Sequence, residues 1–389
     1  VGPGAPAPGQ REIVVDAVLG TGARGAPRAA AGAAVDWIGM AQGPVVSLDI
    51  PSGVDADTGR VEGTAVRADL TTTYHRGKPG LHIAPGRAHA GRVEVVDIGI
   101  PRAVESPVAA WLAQPALLGA WPRRRAEGDK YAAGAVMVVG GSPGMTGAPV
   151  LAGSAAMRAG AGLVVMLVPR AIEETVAGLA LELMSVAAPD QDGHIAPAAL
   201  PAVAAQVGRC DVAVLGPGLG RHPATTEAMR VLLRELPLPV VLDADGLWHL
   251  GPVEHLADRA SPTIITPHAG EAARLLGIER DAVESERLDA AEALADRGDV
   301  TVVLKGPGTI IAAPGHPPVI CGPGDARLST AGTGDVLSGV CAAALARGVA
   351  PPVAASLAVV AHAESARVAD RGEGTIAGDL VDALPEALG

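Results

Sequence analysis

From Ala135 onward the chain repeats one pattern: a short, almost unbroken apolar run that stops at a polar or glycine-rich tip. Ala135–Val139 leads into Gly140-Gly141-Ser142, Leu163–Val168 into Pro169, and Asp211–Leu215 into Gly216-Pro217-Gly218-Leu219-Gly220. Pro239–Leu242 leads into Asp243-Ala244-Asp245, Thr263–Ile265 into Thr266-Pro267-His268, and Val300–Leu304 into Lys305-Gly306. Runs that are apolar at nearly every position suit strands covered on both faces, as in parallel sheets flanked by helices. Helix-sized intervals separate the runs, so the pattern predicts an α/β domain with a mainly parallel sheet. The tips then converge on the carboxyl edge of that sheet, where such folds bind ligands. One or two polar tips would be ordinary loop chemistry; five predict a site.

Composition agrees with a packed globular protein. Hydrophobic residues make up 49% of the chain against 19% charged, and there is no Phe, so the core must be built from Val, Leu, Ile and Ala. The 389 residues suggest two or three domains. A net charge of −12 argues against a nucleic-acid partner. Cys210, Cys321 and Cys341 are widely spaced and fit no disulfide or zinc pattern, which predicts a reducing, cytoplasmic setting. The most apolar stretch, Ala148–Pro169, is interrupted by Arg158 and several glycines. It reads as a buried helix followed by a strand, and no membrane partner is expected.

The first hundred residues carry a shorter version of the same rhythm. After a linker-like opening, Val1–Gly9, the apolar run Ile13–Leu19 ends in Gly20-Thr21-Gly22 and Val45–Asp49 ends in Ile50-Pro51-Ser52-Gly53; Val93–Asp97 is a third candidate strand. Such a region is small for a complete doubly wound domain and reads as the back half of one. Residues 102–126 are rich in proline and end in Arg123-Arg124-Arg125. They are read as a linker with a short helix from Val108 to Leu118, the arginines forming a solvated boundary. The expected organisation is therefore 1–105, a linker over 106–126, and a second domain over 127–389.

Near the C-terminus, Gly332-Thr333-Gly334-Asp335 sets two glycines and an aspartate at what reads as the first turn of a helix. Glycine lets a ligand approach the backbone, and the free N–H groups of a helix start attract anions. An aspartate there is placed to take a proton from a hydroxyl as a phosphoryl group arrives. A tight turn with a capping aspartate satisfies the same four residues. Lys305, one of three lysines, is followed by two spaced glycines and suits a phosphate contact. Asp243 and Asp245 suit either a magnesium contact through water or the cap of the next helix.

These residues also carry a resemblance. Gly141-Ser142, Met145-Thr146-Gly147-Ala148, Gly216 to Gly220, Asp243-Ala244-Asp245, Thr266 to Glu271, Leu304-Lys305-Gly306 and Gly332 to Asp335 occur in the order of the NAD(P)H-hydrate dehydratase family, within the ribokinase-like superfamily. The likeness spans 127–389. Upstream, Asp16–Gly22 and Asp49–Asp55 resemble the NAD(P)H-hydrate epimerase domain, often fused ahead of the dehydratase.

The resemblance implies a ribokinase-like three-layer α/β/α domain with a mainly parallel sheet, preceded by a partial Rossmann-like α/β domain. It implies ADP-dependent removal of water from the S-epimer of hydrated NAD(P)H, leaving AMP and phosphate, with ADP (or ATP) and Mg²⁺ required. Asp335 would be the catalytic base. Lys305, Gly306, Pro307, Gly308, Thr309 and Gly334 would hold the adenine nucleotide, and Ala148, Gly218, His268 and Asp335 the hydrate. In the epimerase-like half, Gly20, Thr21, Gly22, Ala23, Arg24, Gly25, Ala26 and Asp49 match substrate positions. Asp16 and Ser52 match the K⁺ site. A homo-oligomer is expected.

The sequence departs from the family in three places. Trp248 stands where many relatives have Asn, Gly128-Asp129-Lys130 lacks a preceding histidine, and the epimerase's Asn-Asn-Gly-Gly-Asp-Gly type loop is not in the chain. The epimerase-like half is therefore expected to be inactive. On Gly332 to Asp335 alone, a small-molecule kinase of the same superfamily stays open, as does a non-catalytic nucleotide-binding protein.

Overall fold

A computed structural model describes residues 7–9, 12–101, 107–124, 127–324 and 326–389. The opening tract to residue 6, the expected boundary at 105 and 106, and Arg125 of the arginine triplet lie outside the described residues. The chain divides into two compact units. The first takes the described residues up to Trp111, together with Glu284–Leu288 and Gly306–Gly308; the second takes the rest.

In the first unit, β1 (Val14–Asp16), α1 (Ala29–Ile38), β2 (Val45–Leu48), β3 (Leu70–Tyr74), α2 (Arg87–Ala90) and β4 (Arg92–Val96) follow in order. The four strands pair in parallel in the order β1-β2-β3-β4. Val14, Val35, Ile38, Val45 and Val66 form one small core, and Ile50, Val54, Ala56, Leu81 and Ala90 a second.

The second unit begins at Leu112, within the edge strand β5 (Trp111–Ala113), which leads to a 3₁₀ turn over Pro115–Ala120. The expected helix over Val108–Leu118 is therefore not formed. Trp111–Ala113 is drawn into the sheet beside a later strand, and Pro115, lacking an N–H, opens a tighter turn. Then come β6 (Ala135–Val139), α3 (Gly147–Arg158), β7 (Leu163–Pro169), α4 (Arg170–Ala177), β8 (Met184–Ala188), the two-residue pair β9 (Asp190–Gln191) and β10 (His194–Ile195), and α5 (Leu200–Val207). They are followed by β11 (Val212–Leu215), α6 (Pro223–Glu235), β12 (Val240–Leu242), α7 (Asp245–Leu250), β13 (Thr263–Ile265), α8 (Ala269–Leu276), α9 (Arg280–Ser285), α10 (Arg287–Gly298) and β14 (Thr301–Leu304). An antiparallel return, β15 (Ile310–Ala313) and β16 (His316–Cys321), precedes α11 (Thr333–Ala346), α12 (Pro351–Ala369) and α13 (Ala377–Leu388).

The ten-stranded sheet has the order β5-β16-β15-β14-β13-β12-β11-β6-β7-β8, parallel from β14 to β8. Alternate residues such as Val136, Val138, Val212, Val214 and Val241 pack into one core with α3, α11, α12 and α13. Their neighbours Met137, Val139, Ala213, Leu215 and Leu242 are equally buried on the other face. This is why the strands read as unbroken apolar runs. The chain leaves β6 toward β7 and β8 and returns on its other side at β11, so β6 and β11 meet at a topological switch point. No helix among the described residues is long and apolar enough to cross a membrane.

Candidate functional site

The tips of neighbouring strands assemble the centre of the site. Asp243 follows β12, is 1% exposed, and accepts hydrogen bonds from Lys305 Nζ (2.8 Å) and Thr266 Oγ1 (2.7 Å). Lys305, after β14, is fixed at its backbone by an N–H bond to the Pro267 carbonyl (2.8 Å). Gly216, after β11, runs so close beneath that a Cβ there would lie 1.8 Å from the Asp243 carbonyl oxygen. Its φ of +132° likewise suits only glycine.

The fourth component is the start of α11. Gly332 takes a left-handed φ of +87°, and the Thr333 hydroxyl donates back to the carbonyls of Leu328 (2.8 Å) and Thr330 (2.9 Å), tying down the turn. Gly334 faces the ion pair: a Cβ there would stand 3.4 Å from Lys305 Nζ and 3.8 Å from Asp243 Oδ2. Asp335 follows in the first helical turn. Burial, then the nearby Asp243 carboxylate and Asp245, push its carboxyl up to about 7 against the pull of Lys305. Burial would lower the Lys305 ammonium, but Asp243, Glu271 and Asp335 outweigh it and keep its pKa above the usual lysine value. A rigid cation therefore lies beside the free N–H groups of a helix start, with a carboxylate tuned near neutrality at its flank.

The switch point supplies a second surface. Gly141 N–H donates to the Pro217 carbonyl (2.8 Å) and Ser142 Oγ to the Gly218 carbonyl (2.9 Å), binding the β6 tip to the β11 tip. Gly218 has a φ of +63°, and a Cβ there would lie 2.7 Å from the Met145 carbonyl and 3.1 Å from Ala148 Cβ. Gly218 and Ala148 are thus brought side by side.

His268 and the two aspartates have local roles. His268 Nδ1 accepts from the N–H groups of Gly270 (3.0 Å) and Glu271 (3.2 Å) while Glu271 accepts from His268 N–H (2.8 Å), a capping box at the start of α8. Its ring is otherwise exposed, with Nε2 3.5 Å from Glu271 Oε1. Neither Asp243 nor Asp245 caps α7 through its side chain: the first is held by Lys305 and Thr266, and the second accepts from Gly220 N–H (2.9 Å). Gly306, Pro307 and Gly308 group with the first unit. There the Pro307 carbonyl accepts from Arg287 Nη1 (2.6 Å) and Ala84 N–H (3.2 Å). Thr309 belongs to the second unit.

In the first unit, Asp16 and Ser52 are both fully buried and meet. Asp16 accepts from Ser52 Oγ (2.6 Å), Ser52 N–H (2.8 Å) and Ser47 Oγ (2.8 Å), while Ser52 Oγ accepts from Leu19 N–H (2.9 Å). Ser52 Oγ also lies 3.5 Å from the Leu19 carbonyl. A buried carboxylate among hydroxyl and carbonyl oxygens is the donor chemistry of a hard cation, so these residues fit K⁺. Asp49 is held at φ +70° by Lys78 Nζ (2.5 Å) and Tyr74 N–H (3.2 Å). Burial would raise its pKa, but the Lys78 bond outweighs it and leaves the carboxyl below its usual value.

Of the loop Gly20–Ala26, Ala23 N–H bonds the Gly20 carbonyl (3.0 Å), and Arg24 pairs with Asp55 (3.2 Å) and Asp57 (2.5 Å) and touches the Thr21 carbonyl (3.3 Å). Gly20 and Gly22 have open space where side chains would be, and Ala26 Cβ would lie 3.3 Å from a Cβ at Gly63. A small cleft lined by Leu19, Ala23, Gly25, Val54, Asp55 and Arg60 opens here. The sequence reading missed Lys78 and Ser142 as supports; the scarcity of lysine was the one signal that singled out the first. It also missed the anchoring of Lys305 by Asp243, which the pairing of β12 with β13 and of β13 with β14 creates.

Known proteins match both halves. The model of the NAD(P)H-hydrate dehydratase family matches residues 136–387, and that of the YjeF-related protein N-terminus matches 4–80. A bifunctional NAD(P)H-hydrate repair enzyme of Salinibacter ruber is 41% identical over 97% of this chain and 72% of its own length. Its counterpart in Moorella thermoacetica is 39% identical over 97% of this chain and 73% of its own. The ADP/ATP-dependent NAD(P)H-hydrate dehydratase of Bacillus subtilis, co-crystallised with ATP and Mg²⁺, superposes with a TM-score of 0.60 at 26% identity, covering 72% of this chain and 98% of that one. A ribokinase-like superfamily protein of Enterococcus faecalis shares the fold (TM-score 0.63, 21% identity, 73% of this chain and 98% of that one). With the dehydratase model matched across most of the second unit and relatives aligned along nearly the whole chain, the protein belongs to the family of bifunctional NAD(P)H-hydrate repair enzymes.

Proposed function

We propose that the chain restores hydrated NAD(P)H, removing water from the S-epimer with ADP as phosphoryl donor and releasing AMP and phosphate. The observation that carries this reading is the meeting of Lys305, Asp243 and Asp335 around the side-chain-free Gly334 at the start of α11. Asp335, poised near neutrality, takes the proton of the hydrate hydroxyl as it attacks the terminal phosphorus of the nucleotide. Phosphate then leaves with the C–O bond electrons while the neighbouring ring carbon gives up a proton to water, and the ring double bond re-forms. Lys305 and the N–H groups of the first α11 turn hold the terminal phosphate, and the loop Gly306 to Thr309 that follows Lys305 holds the remainder of the nucleotide. Asp243 and Asp245 are the carboxylates that would hold Mg²⁺, and the ion would offset the phosphate charge when bound with the nucleotide. Gly218, Ala148 and the exposed edge of His268 line the hydrate's place.

We assign the organisation as an epimerase-like domain over 1–105, a linker over 106–126 and the dehydratase over 127–389. In the first, Gly20 to Ala26 and Asp49 take the hydrate, and Asp16 and Ser52 would hold K⁺, which fixes polar groups of the substrate when bound. The 389 residues contain no asparagine to pair with these positions. We therefore read that half as inactive. The cytoplasm, where the cofactors turn over, is the proposed setting, with a homo-oligomer as the working form.

The test is recovery of NADH absorbance from a mixed-epimer hydrate with ADP and Mg²⁺. Recovery that stalls until an authentic epimerase is added supports both halves of the reading. Recovery beyond one epimer without that addition, faster than spontaneous epimerisation, overturns the inactive-epimerase part. No recovery under any condition overturns the lyase reading and favours a kinase acting on another alcohol.

A further inference from the structure

Past Gly218 the β11 tip runs on to Gly220 and Arg221, where a closed set of contacts surrounds Trp248, a residue with no part in the reaction so far. Gly220 N–H donates to Asp245 Oδ2 (2.9 Å). The Gly220 carbonyl lies 2.8 Å from His249 Nε2, and His249 Nδ1 lies 2.8 Å from Thr226 Oγ1. A carbonyl can only accept, so Nε2 carries the ring proton and Nδ1 accepts from the threonine hydroxyl. His249 is 3% exposed and is thus fixed at both nitrogens. Trp248 meets that ring edge-on, centroids 4.9 Å apart at 90°. Its carbonyl accepts from Arg274 Nη1 (2.9 Å) and the Leu247 carbonyl from Arg274 Nη2 (2.6 Å). On the held indole stands Arg221, its guanidinium carbon 5.5 Å from the ring centroid and its Nε 3.6 Å from Asp245 Oδ1.

The Arg221 side chain is still 66% exposed, and among the described residues neither of its Nη atoms makes a hydrogen bond. A guanidinium held on an aromatic ring with its outer N–H fork open to solvent is the geometry that receives a phosphate. Topology decides whose phosphate it is. In the sheet, Lys305 and the nucleotide loop follow β14, whereas Gly218 and Ala148 meet where β11 adjoins β6. Arg221 stands three residues past Gly218, on the hydrate's side of the site. The hydrate is a dinucleotide whose pyrophosphate lies one ribose from the reacting ring. Asp243, Asp245, Glu271 and Asp335 make the neighbouring edge acidic, so an anionic substrate needs a cation placed for it. Asp245 joins the two ends, lying beside Arg221 and close enough to Asp335 to help raise its carboxyl. We propose that Arg221, held on Trp248, binds the pyrophosphate of the NAD(P)H hydrate and so fixes where along the β11 tip the substrate comes to rest. The proposal rests on the dehydratase reading.

Three variants of the full chain test it: R221Q, R221K and W248L. Each is assayed for kcat and KM with NADH hydrate and with NADPH hydrate, and for binding of NADH and of ADP by calorimetry. R221Q is expected to raise KM about tenfold for both hydrates and to weaken NADH binding about tenfold, with kcat and ADP affinity within about twofold of wild type. R221K, which keeps the charge but not the fork, falls between the two. W248L raises both KM values about threefold, because the arginine loses its platform. Tm holds in R221Q, whose replaced side chain is largely exposed. Added salt raises the wild-type KM more steeply than that of R221Q, a difference that a packing role does not produce. Unchanged KM and NADH affinity in R221Q overturn the proposal. So does a rise confined to NADPH hydrate, which places the 2′-phosphate at Arg221, and so does a loss of ADP affinity with hydrate KM unchanged, which gives the arginine to the nucleotide. A wild-type protein that turns over no hydrate sinks the dehydratase reading itself; the titration with NADH, which carries the same pyrophosphate, then decides on Arg221.

Discussion

Asp335→Asn is expected to make the protein more stable and nearly inactive, with the stability gain depending on pH. The native carboxyl is raised from 3.8 to about 7, chiefly by burial and by Asp243. Below about pH 4 it is protonated in both folded and unfolded chains and costs nothing. Between 4 and 7 the unfolded chain releases the proton while the folded one retains it, so stability falls as pH rises. Above 7 the full penalty stands. A shift of this size corresponds to about 2–4 kcal/mol once the residual solvent contact of a partly covered side chain is allowed for. The amide removes the charge and with it the penalty. Urea unfolding of the second unit should therefore show D335N equal to wild type near pH 4 and more stable by about that margin at pH 8. ADP should still bind, while turnover falls by roughly three orders of magnitude. A D335N protein that gains nothing at pH 8, or gains equally at both pH values, refutes the account of Asp335 as a strained buried base.

Lys305→Met strips a buried carboxylate of its cation: destabilisation of about 3 kcal/mol by urea titration and a large loss of ADP affinity by calorimetry are expected. Gly334→Ala sets a methyl 3.4 Å from Lys305 Nζ at a position whose helical backbone suits alanine, so kcat should fall while Tm holds or rises. Gly218→Ala combines a φ of +63° with a Cβ 2.7 Å from the Met145 carbonyl; a loss of about 1–3 kcal/mol in stability and a raised KM for the hydrate are expected, seen by thermal unfolding and steady-state kinetics.

The parallel strands were legible because burial on both faces leaves an unbroken apolar run, and their tips were legible because carboxyl-edge loops are polar. The same logic misread what lacks that signature. Strand β3, Leu-Thr-Thr-Thr-Tyr, is half polar and was not anticipated; its Thr71 and Thr73 are buried by bonding to the Ala90 carbonyl and toward Asp49, not by apolar packing. Trp111–Ala113 was read within a short linker helix, whereas tertiary pairing decided its form. For the site, Asp335 and Lys305 stood out by residue type, but the Lys305–Asp243 bond joins residues 62 positions apart at the ends of separate strands, and no local spacing announces it.

The geometry also explains why residues so far apart in sequence act together. Asp243, Thr266 and Val303 follow Leu242, Ile265 and Val302, which stand in register across β12, β13 and β14. Lys305 sits two residues beyond Val303, and that overhang lets its ammonium turn back onto Asp243. A one-residue slip of β14 would send its side chains to the opposite face and break the pair. Register in turn is held by Val302, Val303 and Leu304, fully buried on both sides of the sheet. The apolar pattern that defines the fold is thus the same feature that aims the cation, and the aimed cation restrains the pKa of Asp335. Loss of packing in β14 should therefore reach the chemistry through Lys305 before it unfolds the chain.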